Sequence, residues 1–335
     1  MKTLRLAING FGRIGRHALK AARAYSNISI VAINDLTDTK TLAHLLKHDT
    51  VYGPFEGTVE AKEGKLIVDG KTIVVTAEKE PKNLPWNVLD VDVVLECTGR
   101  FTNYDGASGH IAAGAKHVII SAPAKGEGVP THVMGINQKT ASKSVIINNA
   151  SCTTNCITPV MAVLEEAFGI KRAMMTTIHS YTASQVLQDA PAKDLREARA
   201  AAQNIVPTST GAAIATTQVI PELEGLFDGL SVRVPTPVVS LSDMTVLLKK
   251  KTTVEELNAV FVKAAKQARW KGILETTDEP LVSSDFIGNP ASAIVDLGLT
   301  RVIQGDFVKV VAWYDNEWGY ANRLVQMAVE IGKSL

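Results

Sequence analysis

The sequence predicts an α/β protein of two parts: a Rossmann-type doubly wound parallel sheet, then an α+β domain built on a mixed sheet. Three observations carry this expectation. Short β-branched runs alternate with helical patterns near the start, a glycine-rich turn joins the first such pair, and beyond about residue 150 the strand-like runs lengthen and lose that alternation.

The opening elements form a βαβ unit, with a strand over 4–9, a helix over 13–24 and a strand over 28–34. Apolar runs at 73–75, 91–96, 117–121 and 145–148 supply further strands of one largely parallel sheet. In the second part, strands are expected over 171–179, 230–239, 244–249 and 307–314. Thr253 with Glu256 makes a capping box before an amphipathic helix to residue 268, and a last helix covers 319–331. Residues 180–203 hold no strong period and read as a long ordered loop, a feature that is usually functional or interfacial.

A chain of 335 residues, 46% of them hydrophobic, is long enough for about two domains with sizeable cores. Its net charge of +1 gives no basic surface for nucleic acid and no attraction to a membrane, which leaves small ligands as the expected partners. The apolar runs are too short to cross a bilayer and the first residues lack a signal-peptide core, so a cytoplasmic protein is expected. Cys97, Cys152 and Cys156 are too few and too irregular for a disulfide framework or a zinc site. His44 and His48 share a helix face without a third ligand, so no metal is expected.

Gly10, Gly12 and Gly15 form a G-x-G-x-x-G turn between strand and helix. Glycines permit a tight turn and close approach of a pyrophosphate, and the helix N-terminus offers it free N–H groups and a partial positive charge. Such a turn is also found in purely structural roles, but Asp35 ends the next strand, where a carboxylate accepts hydrogen bonds from an adenosine ribose. Asp35 would repel a 2'-phosphate, and the residues just after it offer no arginine, so the expected cofactor is NAD.

Cys152 follows the strand at 145–148 and opens a helical pattern, so free N–H groups and the helix dipole are expected to make its thiol more acidic than a free one. Its best candidate partner is His179, at a strand end, although a histidine there is commonly a satisfied structural residue. Thr210 and Gly211, in a hydroxyl-rich turn before a helical stretch, suit a phosphate, although such a turn is also ordinary capping. Arg233 lies among apolar residues and must pair or meet an anion.

These residues sit in NGFGRIGR, ASCTTNC, TTIHSYT, PTSTGAA, RVPTP and WYDNEWGY, and in that order the motifs resemble the glyceraldehyde-3-phosphate dehydrogenases over essentially the whole chain. The resemblance implies that Cys152 attacks an aldehyde and forms a thioester that inorganic phosphate cleaves, with His179 activating the thiol. It implies cofactor contacts from Arg13, Ile14, Asp35, Lys79, Ser121 and Asn316, the last toward the nicotinamide carboxamide. Ser151, Thr153, Thr182, Thr210, Gly211 and Arg233 match substrate and phosphate positions. An NAD-binding domain over 1–150 completed by the helix at 318–335, a catalytic domain over 151–317 and a homotetramer are implied as well. The substrates would be glyceraldehyde 3-phosphate and inorganic phosphate.

Three positions depart from the family pattern. Glu197 stands where many bacterial members have arginine, leaving Arg196 or Arg199 to supply a second phosphate-site cation; Ser184 replaces aspartate or threonine; and Ile214 replaces a lysine. Alternatives within the class are an erythrose-4-phosphate or NADP-preferring dehydrogenase. From another class comes a catalytically retired nucleotide-binding paralogue, against which the joint retention of Cys152, His179 and Asn316 argues.

Overall fold

The structure, a computed structural model, describes residues 3–335. The chain divides into two compact units, one running up to Ala150 and including Ala321–Leu335, the other formed by Ser151–Tyr320.

The first unit contains β1 (Leu4–Asn9), α1 (Arg13–Ala22), β2 (Ile28–Asn34), α2 (Thr39–Lys47), β3 (His48–Asp49), β4 (Gly53–Pro54), β5 (Val59–Lys62), β6 (Lys65–Val68), β7 (Lys71–Thr76), β8 (Val93–Glu96), α3 (Tyr104–Ala112), β9 (His117–Ile120) and β10 (Ile146–Asn148). Eight strands form one sheet in the order β10-β9-β8-β1-β2-β7-β6-β5, parallel from β10 to β7 and antiparallel over the last two pairs. Leu6, Ala7 and Ile8 of β1 and Val93, Val94 and Leu95 of β8 are completely buried, as expected for central parallel strands covered on both faces. The hairpin of β5 and β6 is an addition to the sequence reading. It turns through Gly64 at φ 64°, and its strands are short and charged at the sheet edge.

Chain order along the sheet reverses at β1, which has β2 on one side and β8 on the other. Open α/β sheets bind ligands at the carboxyl ends of the strands beside such a reversal, because the flanking loops diverge there and leave a crevice. Gly10, Asp35 and Thr98 all lie at these strand ends.

The second unit contains α4 (Cys152–Phe168), β11 (Ile170–Ser180), β12 (Val206–Thr208), α5 (Ala212–Val219), β13 (Phe227–Val234), β14 (Ser240–Leu248), α6 (Val254–Ala265), β15 (Leu274–Thr277), β16 (Ala293–Asp296), β17 (Arg301–Ile303), β18 (Phe307–Tyr314) and the start of α7 (Trp318–Gly332). Its mixed sheet runs β12-β13-β11-β14-β18-β16-β15, with β17 on β18. β11 pairs parallel with β13 and antiparallel with β14. Helix α4 packs on β14, β16 and β18, whereas Met174, Leu230 and Phe307 leave an apolar surface exposed.

The expected capping box is present, with the Thr253 hydroxyl accepting from Glu256 N, although the helix ends at Ala265 rather than 268. The strand expected over 230–239 stops at Val234, because Pro235 and Pro237 have no N–H for the ladder. No helix or strand interrupts residues 181–205, which are pinned by local contacts such as Ala201 N to Val186 O at 3.0 Å.

Candidate active site

In the first unit, the turn after β1 is shaped by Gly10 at φ 91°, where an added Cβ would lie 2.7 Å from Thr98 N. Gly15 is equally constrained, since a Cβ there would meet Gly10 O at 2.2 Å; Gly12 faces open space. Gly12 is also the N-cap of α1 and supplies no side-chain cap, an arrangement that suits an external anionic acceptor at a helix N-terminus. The backbone of Arg13 and Ile14 belongs to this turn. The Arg13 guanidinium points elsewhere, donating to Asp49 at 2.8 Å and lying over the Tyr52 ring.

Asp35 fixes the other wall. Its carboxylate accepts from Phe11 N at 2.8 Å and Thr37 N at 3.0 Å, which leaves lone pairs for ribose hydroxyls. Asp35, Gly10, Gly12, Lys79 and Thr98 line a cavity of about 300 Å³. Ser121 directly follows β9, with its N–H on Glu96 O at 3.0 Å. The glycine cradle, the uncapped helix end and the spare carboxylate capacity together fit a dinucleotide.

A buried polar network that the sequence reading missed supports this cavity. Asn34 donates to Asn9 Oδ1 at 2.7 Å, and Asn9 donates to Glu96 at 2.5 Å. The Trp86 indole N–H donates to His110 Nδ1 at 2.9 Å, which places the ring proton on Nε2, 3.0 Å from Glu96. The Thr98 backbone and hydroxyl complete the Glu96 carboxylate. Each of these buried side chains thus has a polar partner, which fixes the floor of the cavity.

In the second unit, Cys152 is the first residue of α4, with Ser151 as N-cap. The Ser151 hydroxyl accepts from Thr154 N at 3.0 Å. His179 Nε2 lies 3.4 Å from Cys152 Sγ. Two residues 27 positions apart meet because α4 is followed directly by β11, which returns past the helix start. Register does the same for Arg233: in the parallel β11–β13 pair it stands opposite His179, and its Nη1 lies 2.5 Å from His179 Nδ1.

The electrostatics correct one expectation. Burial raises the Cys152 thiol above its ordinary pKa, outweighing the Arg233 charge and the Thr153 donors that favour the thiolate. His179 is lowered to about 3, first by burial, then by the Arg233 charge, against the Ser180 carbonyl. The ligand-free pair is therefore a neutral thiol beside a neutral imidazole. The helix N-terminus alone does not make the thiol acidic, because desolvation is the larger effect. Burial pushes Cys97 up to about 12 and Cys156 further; Cys156 lies in the core, whereas Cys97 is half-buried on the wall of the first-unit cavity.

Thr153 is buried, and its hydroxyl bonds Tyr314 OH at 2.9 Å; the same phenol bonds Thr177 at 2.8 Å. Tyr314 thus braces the start of α4 against β11, with its ring edge-on to His179. It lies in the motif that carries Asn316 but was not singled out from the sequence. The Asn316 side chain accepts from Ser240 Oγ at 3.1 Å, and that same oxygen accepts from Ser180 N at 3.1 Å, tying Asn316 to the residue after His179.

Around the phosphate candidates, Thr182 bonds Ser184 at 2.9 Å, Thr210 accepts from Ala212 N at 3.2 Å, and Gly211 is the N-cap of α5. Glu197 accepts from the Thr208 hydroxyl at 3.0 Å, and the Arg199 guanidinium is engaged by Asp189 at 2.7 Å. Ile214 is exposed and lines, with Met174, Phe227 and Phe307, a separate cavity of about 900 Å³.

A doubly wound sheet with a dinucleotide cradle, accompanied by a cysteine–histidine pair on a mixed sheet, defines an NAD-dependent oxidoreductase that acts on an aldehyde. Residues 4–104 match the family model for the glyceraldehyde 3-phosphate dehydrogenase NAD binding domain, and residues 151–316 match its C-terminal domain. The chain is 55% identical to glyceraldehyde-3-phosphate dehydrogenase 1 of Bacillus cereus over 97% of both chains. It is 53% identical to glyceraldehyde-3-phosphate dehydrogenase of Geobacillus stearothermophilus over 98% of both, and 52% identical to that of Streptomyces coelicolor over 99% of this chain and all of the relative. The chain belongs to the glyceraldehyde-3-phosphate dehydrogenase family.

Proposed function

We propose that the chain catalyses the phosphorylating oxidation of glyceraldehyde 3-phosphate to 1,3-bisphosphoglycerate, with Cys152 as nucleophile and His179 as its base. The observation that carries this reading is the 3.4 Å contact between Cys152 Sγ and His179 Nε2 at the start of α4. A neutral imidazole takes the thiol proton as sulfur bonds the aldehyde carbon, so no standing thiolate is required. The protonated ring then faces the thiohemiacetal oxygen. The Gly10–Gly15 turn, Asp35, Lys79 and Ser121 would hold NAD, with Asn316 toward the carboxamide, and the cofactor would supply the hydride acceptor for the thiohemiacetal carbon. Inorganic phosphate attacks the resulting thioester carbon, the carbon–sulfur bond breaks and Cys152 is regenerated.

Arg233, Thr182, Thr210, Gly211 and the backbone at Ser151 and Thr153 are assigned to substrate phosphate and inorganic phosphate. The side chains of Ser151 and Thr153 are engaged in the helix cap and on Tyr314, so these two act mainly through their N–H groups and by placing Cys152. With Glu197 on Thr208 and Arg199 on Asp189, Arg233 is the cation that lies against the reacting pair.

The enzyme is assigned to the cytoplasm, whose reducing conditions preserve a free thiol, and to a homotetramer. The exposed apolar face of Met174, Leu230 and Phe307 supports self-association, since such a patch is normally covered. No helix among the described residues is long and apolar enough to cross a membrane. The test is NADH formation from glyceraldehyde 3-phosphate with and without inorganic phosphate, for wild type and Cys152→Ser. Turnover that needs phosphate and vanishes in the variant supports the thioester route; phosphate-independent turnover refutes it.

A further inference from the structure

The loop at 181–205 distributes its charges unevenly. Its two arginines, Arg196 and Arg199, are exposed, and Arg199 is held by Asp189 at 2.7 Å. Glu197, between them in sequence, is partly buried, and its carboxylate accepts from the Thr208 hydroxyl at 3.0 Å. The acid is carried inward and the bases outward.

Strand register fixes where that carboxylate lies. Val206 of β12 pairs with Arg233 of β13, and Arg233 pairs with His179 of β11, so these side chains share one face of the mixed sheet. Thr208 follows Val206 by two residues in the same strand and falls on the same face. Thr210 and Gly211, in the proposed phosphate region, come directly after the end of that strand. Glu197 therefore sets a negative charge beside a turn that is otherwise suited to an anion.

The contact has a second effect. A threonine hydroxyl has one proton, and Thr208 gives it to Glu197, so it offers an approaching anion only lone pairs. Thr210 differs: its oxygen accepts from Ala212 N at 3.2 Å, which leaves its proton for a ligand. Arg233 and Thr210 attract a phosphate group, and Glu197 with Thr208 opposes it.

We infer that Glu197 is a specificity-determining residue that holds down the affinity of this turn for a phosphate group, by charge repulsion and by engaging the Thr208 proton. Glu197 acts in this way only if Thr210 and Gly211 receive a phosphate, so the inference rests on the function proposed above.

The test is steady-state NADH formation by the full chain with NAD, varying inorganic phosphate in one arm and glyceraldehyde 3-phosphate in the other. Glu197→Gln should lower the KM of one phosphate by about threefold to tenfold, as expected for one charge a few ångströms away at partial solvent exposure. The change in kcat should be smaller. The arm in which KM falls identifies the phosphate that the turn receives. Glu197→Asp and Thr208→Val both keep the charge and should not lower KM. A KM unmoved by Glu197→Gln in both arms overturns the inference, as does an equal fall in Thr208→Val, which would make Glu197 a tether for the strand.

Should Glu197→Gln fail to fold, Glu197→Ala gives the same readings. Calorimetric titration of inorganic phosphate into the nucleotide-free chain supplies a readout without turnover. The glutamine variant should bind more tightly than wild type at low salt, and the gap should close as salt is raised; a gap that ignores salt overturns the repulsion. Turnover that needs no phosphate, or that survives in Cys152→Ser, would sink the phosphorylating reading and the role of Glu197 with it. Phosphate-dependent turnover indifferent to the charge at 197 would sink the role of Glu197 alone.

Discussion

The turn after β1 and the turn after β10 both lead a strand into a helix, yet one leaves the helix end open and the other closes it. At Gly12 there is no side chain, the N-cap donates no capping group, and a hypothetical Cβ meets nothing within 4 Å. At Ser151 the hydroxyl takes Thr154 N, and the preceding Ala150 holds a left-handed φ of 54° without the freedom of glycine. The first turn leaves its helix end without a side-chain cap. The second spends its capping capacity on holding one side chain, Cys152, in place. A strained alanine costs energy that a glycine would not, and it persists where the surrounding hydrogen bonds, here Ala150 N to Asn148 Oδ1 at 3.0 Å, hold the turn.

Substitutions that separate the two turns should differ in kind as well as in size. Cys152→Ala is expected to lower turnover by at least about 1,000-fold while leaving NAD affinity, read by nucleotide fluorescence titration, unchanged. A parallel loss of NAD binding would break the division of labour.

Gly10→Ala should act on the other turn, because its Cβ would crowd Thr98 N at 2.7 Å and its φ of 91° disfavours any side chain. A loss of about 1–3 kcal/mol in chemical denaturation is expected, together with weaker NAD binding. Gly12→Ala, with open space around its Cβ, should keep wild-type stability and still weaken NAD. Equal denaturation midpoints for all three proteins would show that the turn is not the constraint it looks.

The pH response should single out the second turn. His179 has its pKa lowered to about 3 from the ordinary histidine value of 6.5. Above 6.5 the folded and unfolded chains both carry it neutral, and below that the unfolded chain takes up a proton the folded one refuses. Stability therefore falls as pH drops from 6.5 toward 3, with this residue adding a slope of up to about 1.4 kcal/mol per pH unit. His179→Asn should flatten that part of the profile in urea melts, and an unaltered slope would assign the acid response elsewhere.

The smallest expected effect is at the cap. Ser151→Ala should cost about 1 kcal/mol and slow Cys152 alkylation more than it alters NAD binding; a stable variant with normal thiol reactivity would mean that Tyr314 and Thr153 suffice to seat the cysteine.

Much of this is legible in the sequence. The βαβ opening, the glycine turn and Asp35 lie close together in sequence, and periodicity and spacing reveal such local features directly. The Cys152 helix start was equally plain. The thiol's acidity was misjudged, because desolvation depends on everything packed around the sulfur and no window of sequence contains it. The β5–β6 hairpin was missed for another reason: its strands are only four residues long, too short for their alternation to stand out in the sequence. The Asn9–Glu96–His110–Trp86 network was invisible because its members join through space across most of the first unit.

Local chemistry therefore settled what the sequence could settle by itself: the α/β class, the glycine turn between the first strand and helix, the carboxylate after the second strand and a cysteine at a helix start. Each follows from backbone sterics, helix ends and residue type within a few positions. Only the tertiary structure decided that His179 faces Cys152, that parallel register sets Arg233 against the far side of the same ring 54 positions away, and that burial keeps the pair neutral. Those outcomes depend on long-range strand pairing and on the exclusion of water, neither of which is encoded in the neighbours of any one residue.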